Sequence, residues 1–239
     1  SVLATACSSS SPPDRAEGAR ERVTESRRRR WRAVGKKMLP SFGAVLRNEN
    51  LMGHGLLHAY GGVILRKAGV VGALGLVVVY LEERLGVAAS MSGVLNALNP
   101  ASQALLMPLW GRGADSVGRR PVFLVGHALT VLLPLMILLA DSIWLVAAAF
   151  LVLGIGFAAF ITGMTTYIGD LAPGDQQGEL MGLLKVSQGL GGVLGPLVAG
   201  VVSSPSLIGY DGMFLTMSVV ILIGLGLSFV GTKESRSAV

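Results

Sequence analysis

Six long apolar stretches, joined by connections too short to hold another domain, leave this chain few folds to adopt. They run at roughly 57–81, 91–110, 121–140, 143–168, 181–203 and 212–231. Crossing a bilayer core as a helix takes about 20 apolar residues. In lipid the backbone must satisfy its own hydrogen bonds, which a helix does within one segment. The pattern therefore predicts an all-α, polytopic membrane protein of six transmembrane helices. The first stretch is the weakest, because Arg66 and Lys67 interrupt it. Between the third and fourth, Asp141 and Ser142 are almost the whole connection, which forces an antiparallel hairpin.

The charge pattern gives the topology. Only 14% of residues are charged, against about 25% in a typical soluble domain, and charges are dense before Glu49 and sparse after it. The pI near 9.9 does not point to nucleic acid, because the basic residues lie in the leader and in short loops between apolar stretches. That is the positive-inside arrangement. With the leader in the cytoplasm, its side also collects Arg112, Arg119, Arg120, Lys233 and Arg236. The opposite side receives only Arg84 among bases, with Glu82, Glu83, Asp141 and Asp211. Both termini are expected in the cytoplasm, with the protein in the plasma (inner) membrane.

Residues 1–48 read as a basic cytoplasmic linker, Ser/Pro-rich and then charged through Arg27, Arg28, Arg29 and Arg30. Such a composition favours disorder. The arginine run is a solvated, topology-setting loop or a contact for anionic membrane lipid. Within the linker, 31–48 places Trp31, Val34, Met38, Leu39 and Phe42 at roughly helical spacing, broken by Pro40, as an interfacial segment would. Residues 49–232 read as the six-helix membrane unit, and 233–239 as a cytoplasmic tail. The lone Cys7 excludes an intramolecular disulfide.

After the second stretch come Gly111, Asp115, Gly118, Arg119 and Arg120, followed by Pro121. Taken alone this is a tight turn with a clustered acid and bases. Its spacing resembles the cytoplasmic signature of the major facilitator superfamily, Gly-x-x-x-Asp-x-x-Gly-Arg-Arg/Lys, which lies between the second and third helices of each six-helix half. Ser116 and Gly113 depart from the commonest pattern. The resemblance implies a gating latch, with Asp115 facing a neighbouring helix N-terminus and the arginines holding acidic partners. A second resemblance lies in Gly191, Gly195, Pro196, Ala199 and Gly200, which look like the fifth helix of such a half. Gly191, Gly195 and Ala199 form a face of small residues that lets helices approach closely, and Pro196 weakens or bends the helix. The reading is tight packing or a helix that flexes at the interface between halves.

The basic leader is similar to the loop joining the two halves, and the chain opens on Ser1 without an initiator methionine. The resemblance therefore implies the C-terminal half of a transporter. Its expected partner is a missing N-terminal six-helix half, in the same chain or separate, or a second copy in a homodimer.

Polar groups within a span are costly and usually point inward. The cavity candidates are His58, Arg66, Asn96, Asn99, Gln103, Thr162, Thr166 and Lys185. Adjacent helical residues project about 100° apart, so Arg66 and Lys67 do not both face a cavity. One snorkels while the other meets an anionic group. Lys185 lies close enough to a helix end to snorkel too. Asn96, Asn99 and Gln103 share one face, and threonines can bond their own backbone. His54 and His58 stand one turn apart, but no third ligand accompanies them, and neither a metal nor a cofactor is expected. No Asp or Glu falls in the centre of any stretch.

The resemblance implies a secondary transporter that moves a small-molecule substrate by alternating access, of efflux or antiport type. The alternative is a receptor or scaffold with the same bundle. No G-x-x-x-x-G-K-[ST] phosphate loop occurs, and no G-x-S-x-G interrupts the spans, so neither ATP-driven transport nor serine-protease chemistry is expected.

Overall fold

The computed structural model describes residue 25 and residues 55–172, 174, 176–204 and 207–233. The rest of the linker, its interfacial segment, His54 and the tail beyond Lys233 therefore lie outside the described residues. The chain divides into two units, Ser1–Ala44 and Val45–Val239. All the described residues except Glu25 belong to the second.

Six helices occupy that unit: α1 (Leu56–Leu85), α2 (Ala89–Val117), α3 (Arg119–Leu138), α4 (Ile143–Leu171), α5 (Gln177–Val202) and α6 (Gly209–Gly231). Five of them, all but α2, are long and apolar enough to cross a membrane. At 29 residues, α2 would reach about 43 Å, so length is not what sets it apart. Asn96, Asn99, Ser102, Gln103, Arg112 and Asp115 all fall on it and lower its hydropathy.

The helix ends follow local chemistry. Gly86 closes α1 at φ 62°, a left-handed conformation that glycine adopts without steric cost. There the Gly86 N–H donates to the Glu82 carbonyl at 3.1 Å and the Val87 N–H to that of Leu81 at 3.2 Å. These bonds satisfy carbonyls that the helix end would otherwise orphan. Between α3 and α4 only residues 139–142 intervene.

α1 is the hub of the unit, packed against α5 on one side and α6 on another, while α4 lies against α2 and α3, and α3 also meets α6. Small residues make these crossings close. A Cβ at Gly195 would collide with the backbone of Ala68, and one at Gly191 with the Ile64 carbonyl. Against α6, Gly62 approaches Ser228 and the Gly224 carbonyl; between α3 and α4, Gly126 abuts the backbone of Phe160. Without a hydrophobic force between helices in lipid, such contacts are the main source of association. One apolar core surrounds Tyr80, Leu81, Phe150 and Phe214. A second surrounds Tyr60, Phe123, Phe160 and Tyr167.

α2 and α5 remain poorly covered. Only Ser92, Leu95, Ser102 and Ala114 are buried on α2. Val94, Leu105 and Leu109 on α2, and Val193, Leu197 and Val201 on α5, are all more than half exposed. A soluble monomer rarely shows apolar faces of this extent, so lipid or protein must cover them.

Candidate functional site: the α2–α3 junction and the cleft beside α1

The signature residues are less of a loop than their glycines suggest. α2 continues through Gly111 and Asp115 to Val117, and α3 begins at Arg119. Gly118 alone makes the turn, at φ 110° and ψ 158°, a region open essentially to glycine only. The chain therefore reverses within one residue, and the acid and both arginines are held on helix ends.

The two arginines diverge. Arg119 is buried. It pairs with Asp115 one turn earlier, and its Nε donates to Asp170 Oδ2 at 3.2 Å. It thus joins the end of α2, the start of α3 and the end of α4. Arg120 turns to α6: its Nη2 donates to the Phe229 carbonyl at 2.7 Å and its Nε to Thr232 Oγ1 at 3.3 Å. Its guanidinium also lies 5.3 Å from the centre of the Phe229 ring. At the same end, the Tyr167 hydroxyl donates to the Lys233 carbonyl at 2.8 Å, and that of Tyr60 to the Leu180 carbonyl at 2.9 Å. At the other end of α1, Arg84 pairs with Asp211 at 3.0 Å and donates to the Tyr80 hydroxyl at 2.7 Å.

Beside α1 the bundle is looser. α4 and α5 barely touch one another, which leaves a cleft between them. Lys67 sits in it, half-buried, with Nζ 5.5 Å from the centre of the Phe157 ring of α4. Lys185 of α5, exposed, is near enough to Lys67 for their charges to repel. Arg66, one residue away, takes a different direction and is only 2% exposed. Its guanidinium lies 3.9 Å from the centre of Phe160 and 4.8 Å from that of Phe157. Its Nε and Nη2 have no hydrogen-bond partner among the described residues. His127 lies edge-on to the same Phe160 ring at 5.7 Å, fully buried.

The remaining sequence candidates do not gather there. His58 is exposed and packs near Gly231. Asn96 is exposed, while Gln103 Nε2 donates to Asn99 Oδ1 at 2.8 Å within α2. Thr166 donates to the Thr162 carbonyl at 2.8 Å. The face of Gly191, Gly195 and Ala199 is buried, and its two glycines lie against α1. Pro196 and Gly200 are exposed.

Residues 62–239 match the family model of the Major Facilitator Superfamily. The chain belongs to the major facilitator superfamily. It is 28% identical over 157 residues to the multi-drug resistance efflux pump PmrA of Streptococcus pneumoniae, covering 64% of this chain and 38% of that protein. It is 32% identical over 108 residues to the class E tetracycline resistance protein of Escherichia coli, covering 45% of this chain and 26% of that protein. The chain thus spans well under half the length of these relatives. A crystal structure of the human organic anion transporter MFSD10 (TETRAN) shares the fold, with a TM-score of 0.63 at 19% identity over 77% of this chain and 48% of that one.

In this superfamily member, three residues outside the sequence candidates come forward in the geometry. Asp170 was legible only as an acid before a loop, although an acid at a helix end near the signature arginines is a signal for pairing. Lys67 was visible beside Arg66, but the rotation of α1 decides which of the two enters the cleft. Phe157 carried no signal, being one aromatic in a continuous apolar run.

Proposed function

We propose that this chain is one half of a secondary transporter of the major facilitator superfamily, moving a small solute by alternating access between two six-helix bundles. In this reading all six helices span the membrane, α2 included, since its polar residues would then line a shared cavity rather than face lipid. Both termini lie in the cytoplasm of a plasma (inner) membrane, and an N-terminal half completes the cavity. The relatives named as efflux pumps and tetracycline resistance proteins favour export.

The exposed state of α2 and α5 is the observation that carries this reading. Val94, Leu105 and Leu109 on one helix and Val193, Leu197 and Val201 on the other stand uncovered, in a chain spanning 38% of the length of its pneumococcal relative. A second bundle laid against them would bury those faces and enclose the cleft beside Lys67. In the same reading, the α2–α3 junction is the gating latch, with Asp115 and Arg119 breaking or re-forming contacts as the bundles rock.

The test is ethidium and tetracycline accumulation in a pump-deficient bacterium producing the intact native protein. Accumulation should fall several-fold relative to a strain lacking it, and Asp115→Asn should abolish most of that difference while membrane insertion stays unchanged. A receptor or scaffold would leave accumulation of every solute unaltered. The intact mass of the native polypeptide separates a second half in the same chain from a partner subunit or homodimer, since this chain alone is 24.8 kDa.

A further inference from the structure

We propose that the groove between α3 and α6 binds one anionic phospholipid, its acyl chain lying along the groove and its phosphate on Arg120. The site takes from the function proposed above only that α3 and α6 stand in a bilayer, and it needs no transport.

The groove has a volume of about 610 Å³ and runs along one face of each helix. Arg120, Leu124 and Ala128 line it from α3 at four-residue spacing, and Leu222, Gly226 and Phe229 line it from α6 at spacings of four and three. Ala128 and Gly226 are the small residues that give it depth, and a Cβ at Gly226 meets nothing within 4 Å. The helices pack in the order α5, α1, α6, α3, α4, α2. The α3–α6 pair thus stands at the middle of the series, and the poorly covered α2 and α5 at its ends. A second bundle laid on α2 and α5 leaves this groove facing lipid.

Every lining residue but Arg120 is apolar, and Arg120 lies at the end where α3 begins. From Arg120 to Ala128 the helix rises about 12 Å. One leaflet holds roughly 15 Å of hydrocarbon, half of a core about 30 Å thick. A phospholipid has the same order along its length: one charged group at the interface, then an apolar chain reaching one leaflet deep. A spanning helix of another copy or another protein would run through both leaflets, past the inner end of the groove.

Arg120 is positioned to receive the headgroup. Its Nη2 donates to the Phe229 carbonyl and its Nε to the Thr232 hydroxyl, which fixes the guanidinium at the mouth. Both acceptors are neutral, so these bonds place the charge without cancelling it. A guanidinium already held in place gives charge-assisted bonds to phosphate at a smaller entropic cost. Lys233, the residue after Thr232, is exposed and adds positive charge at the same end. Asp115 and Asp170, also at that end, pair with Arg119. Phosphatidylglycerol brings a net negative charge to this mouth, whereas phosphatidylcholine brings an ammonium along with its phosphate. The site therefore selects by headgroup charge.

The experiment places the intact native protein in vesicles of phosphatidylcholine and phosphatidylglycerol with matched chains. Trace lipid of one or the other type carries a photoreactive diazirine on its acyl chain, and labelled peptides are mapped after illumination. Labelling within 121–128 and 222–229 is expected, about tenfold stronger from phosphatidylglycerol, the factor that one charge-assisted bond supplies. Arg120→Gln should bring phosphatidylglycerol down to the phosphatidylcholine level, and Arg120→Lys should keep part of the preference. Gly226→Leu, which fills the groove from a position with open space, should remove the labelling by both lipids. Equal labelling by the two lipids in the native protein means ordinary boundary lipid and overturns the site. Labelling unchanged in Gly226→Leu overturns its placement in the groove. Cross-links between two copies through α3 and α6, in place of lipid labelling, would make a second copy the occupant and overturn the proposal as well.

Discussion

Arg119 Nε donates to Asp170 Oδ2 at 3.2 Å, tying the first residue of α3 to the end of α4 while the same guanidinium holds Asp115 of α2. Three helix ends meet on one buried cation. The two acids are not equivalent, because the Asp115 side chain is 71% exposed and that of Asp170 only 22%. Exposed ion pairs contribute little, with a median of about 0–1 kcal/mol, and breaking a shielded one costs more. A double-mutant cycle should therefore give a coupling of about 1–2 kcal/mol for Arg119→Ala with Asp170→Ala, and below about 1 kcal/mol for Arg119→Ala with Asp115→Ala. Thermal unfolding in detergent reads both, and a larger coupling to Asp115 would reverse the assignment.

The crossing of α1 and α5 makes a sharper claim. A Cβ at Gly195 meets the backbone of Ala68, which cannot rotate away, whereas a Cβ at Gly200 meets nothing within 4 Å. Gly195→Ala should cost about 1–3 kcal/mol through overpacking. Gly200→Ala should be neutral or stabilise by up to about 1 kcal/mol, since alanine is the better helix former. Equal melting temperatures for the two variants would show that α5 does not pack on α1 through this face.

Arg66 sets up an unusual expectation. Its stacking on Phe160 is worth roughly 2 kcal/mol, but an enclosed charge with no carboxylate partner among the described residues carries an effective penalty of several kcal/mol. The penalty exceeds the stacking. Arg66→Met, of similar length and apolar, should therefore leave the melting temperature unchanged or raise it, while Arg66→Ala should lower it by leaving a cavity. A marked loss of stability in Arg66→Met would point to a water or acid satisfying Nε and Nη2.

Phe157 can be probed apart from the lysines. If it offsets the cost of holding Lys67 and Arg66 together, Phe157→Leu should destabilise the wild-type background by about 1–2 kcal/mol. It should do so by much less in an Arg66→Met background. Equal losses in both, measured by the same unfolding assay, would make Phe157 a packing residue only.

Much of this molecule was legible in one dimension. The apolar stretches set the helical elements because the need for about 20 apolar residues and internally satisfied backbone is local and independent of neighbours. The Gly118-Arg119-Arg120 spacing placed the α2–α3 junction for the same reason: a one-residue reversal needs glycine, and the charges flank it. Residues 111–117 were expected to form a turn, and that expectation was wrong. Their glycines and charges suggest a loop, yet the helix accommodates them and only Gly118 breaks it. Nor did the apolar stretch at 91–110 reveal that α2 falls short of the apolarity of the other five helices.

Spacing along the chain was enough to give the class of protein, the position of its helices and the family signature, because each depends on residues close in sequence. Which charges meet is a matter of three dimensions. Arg66 and Lys67 are neighbours whose directions differ by about 100°, and nothing local chooses between them. The choice comes from the rotation of α1. Gly62 and Gly69 lie against α6, Ala68 against α5, and Gly72 between Met217 of α6 and Gly195 of α5. Those close approaches fix the helix about its axis, sending Arg66 into the aromatic core and Lys67 into the cleft.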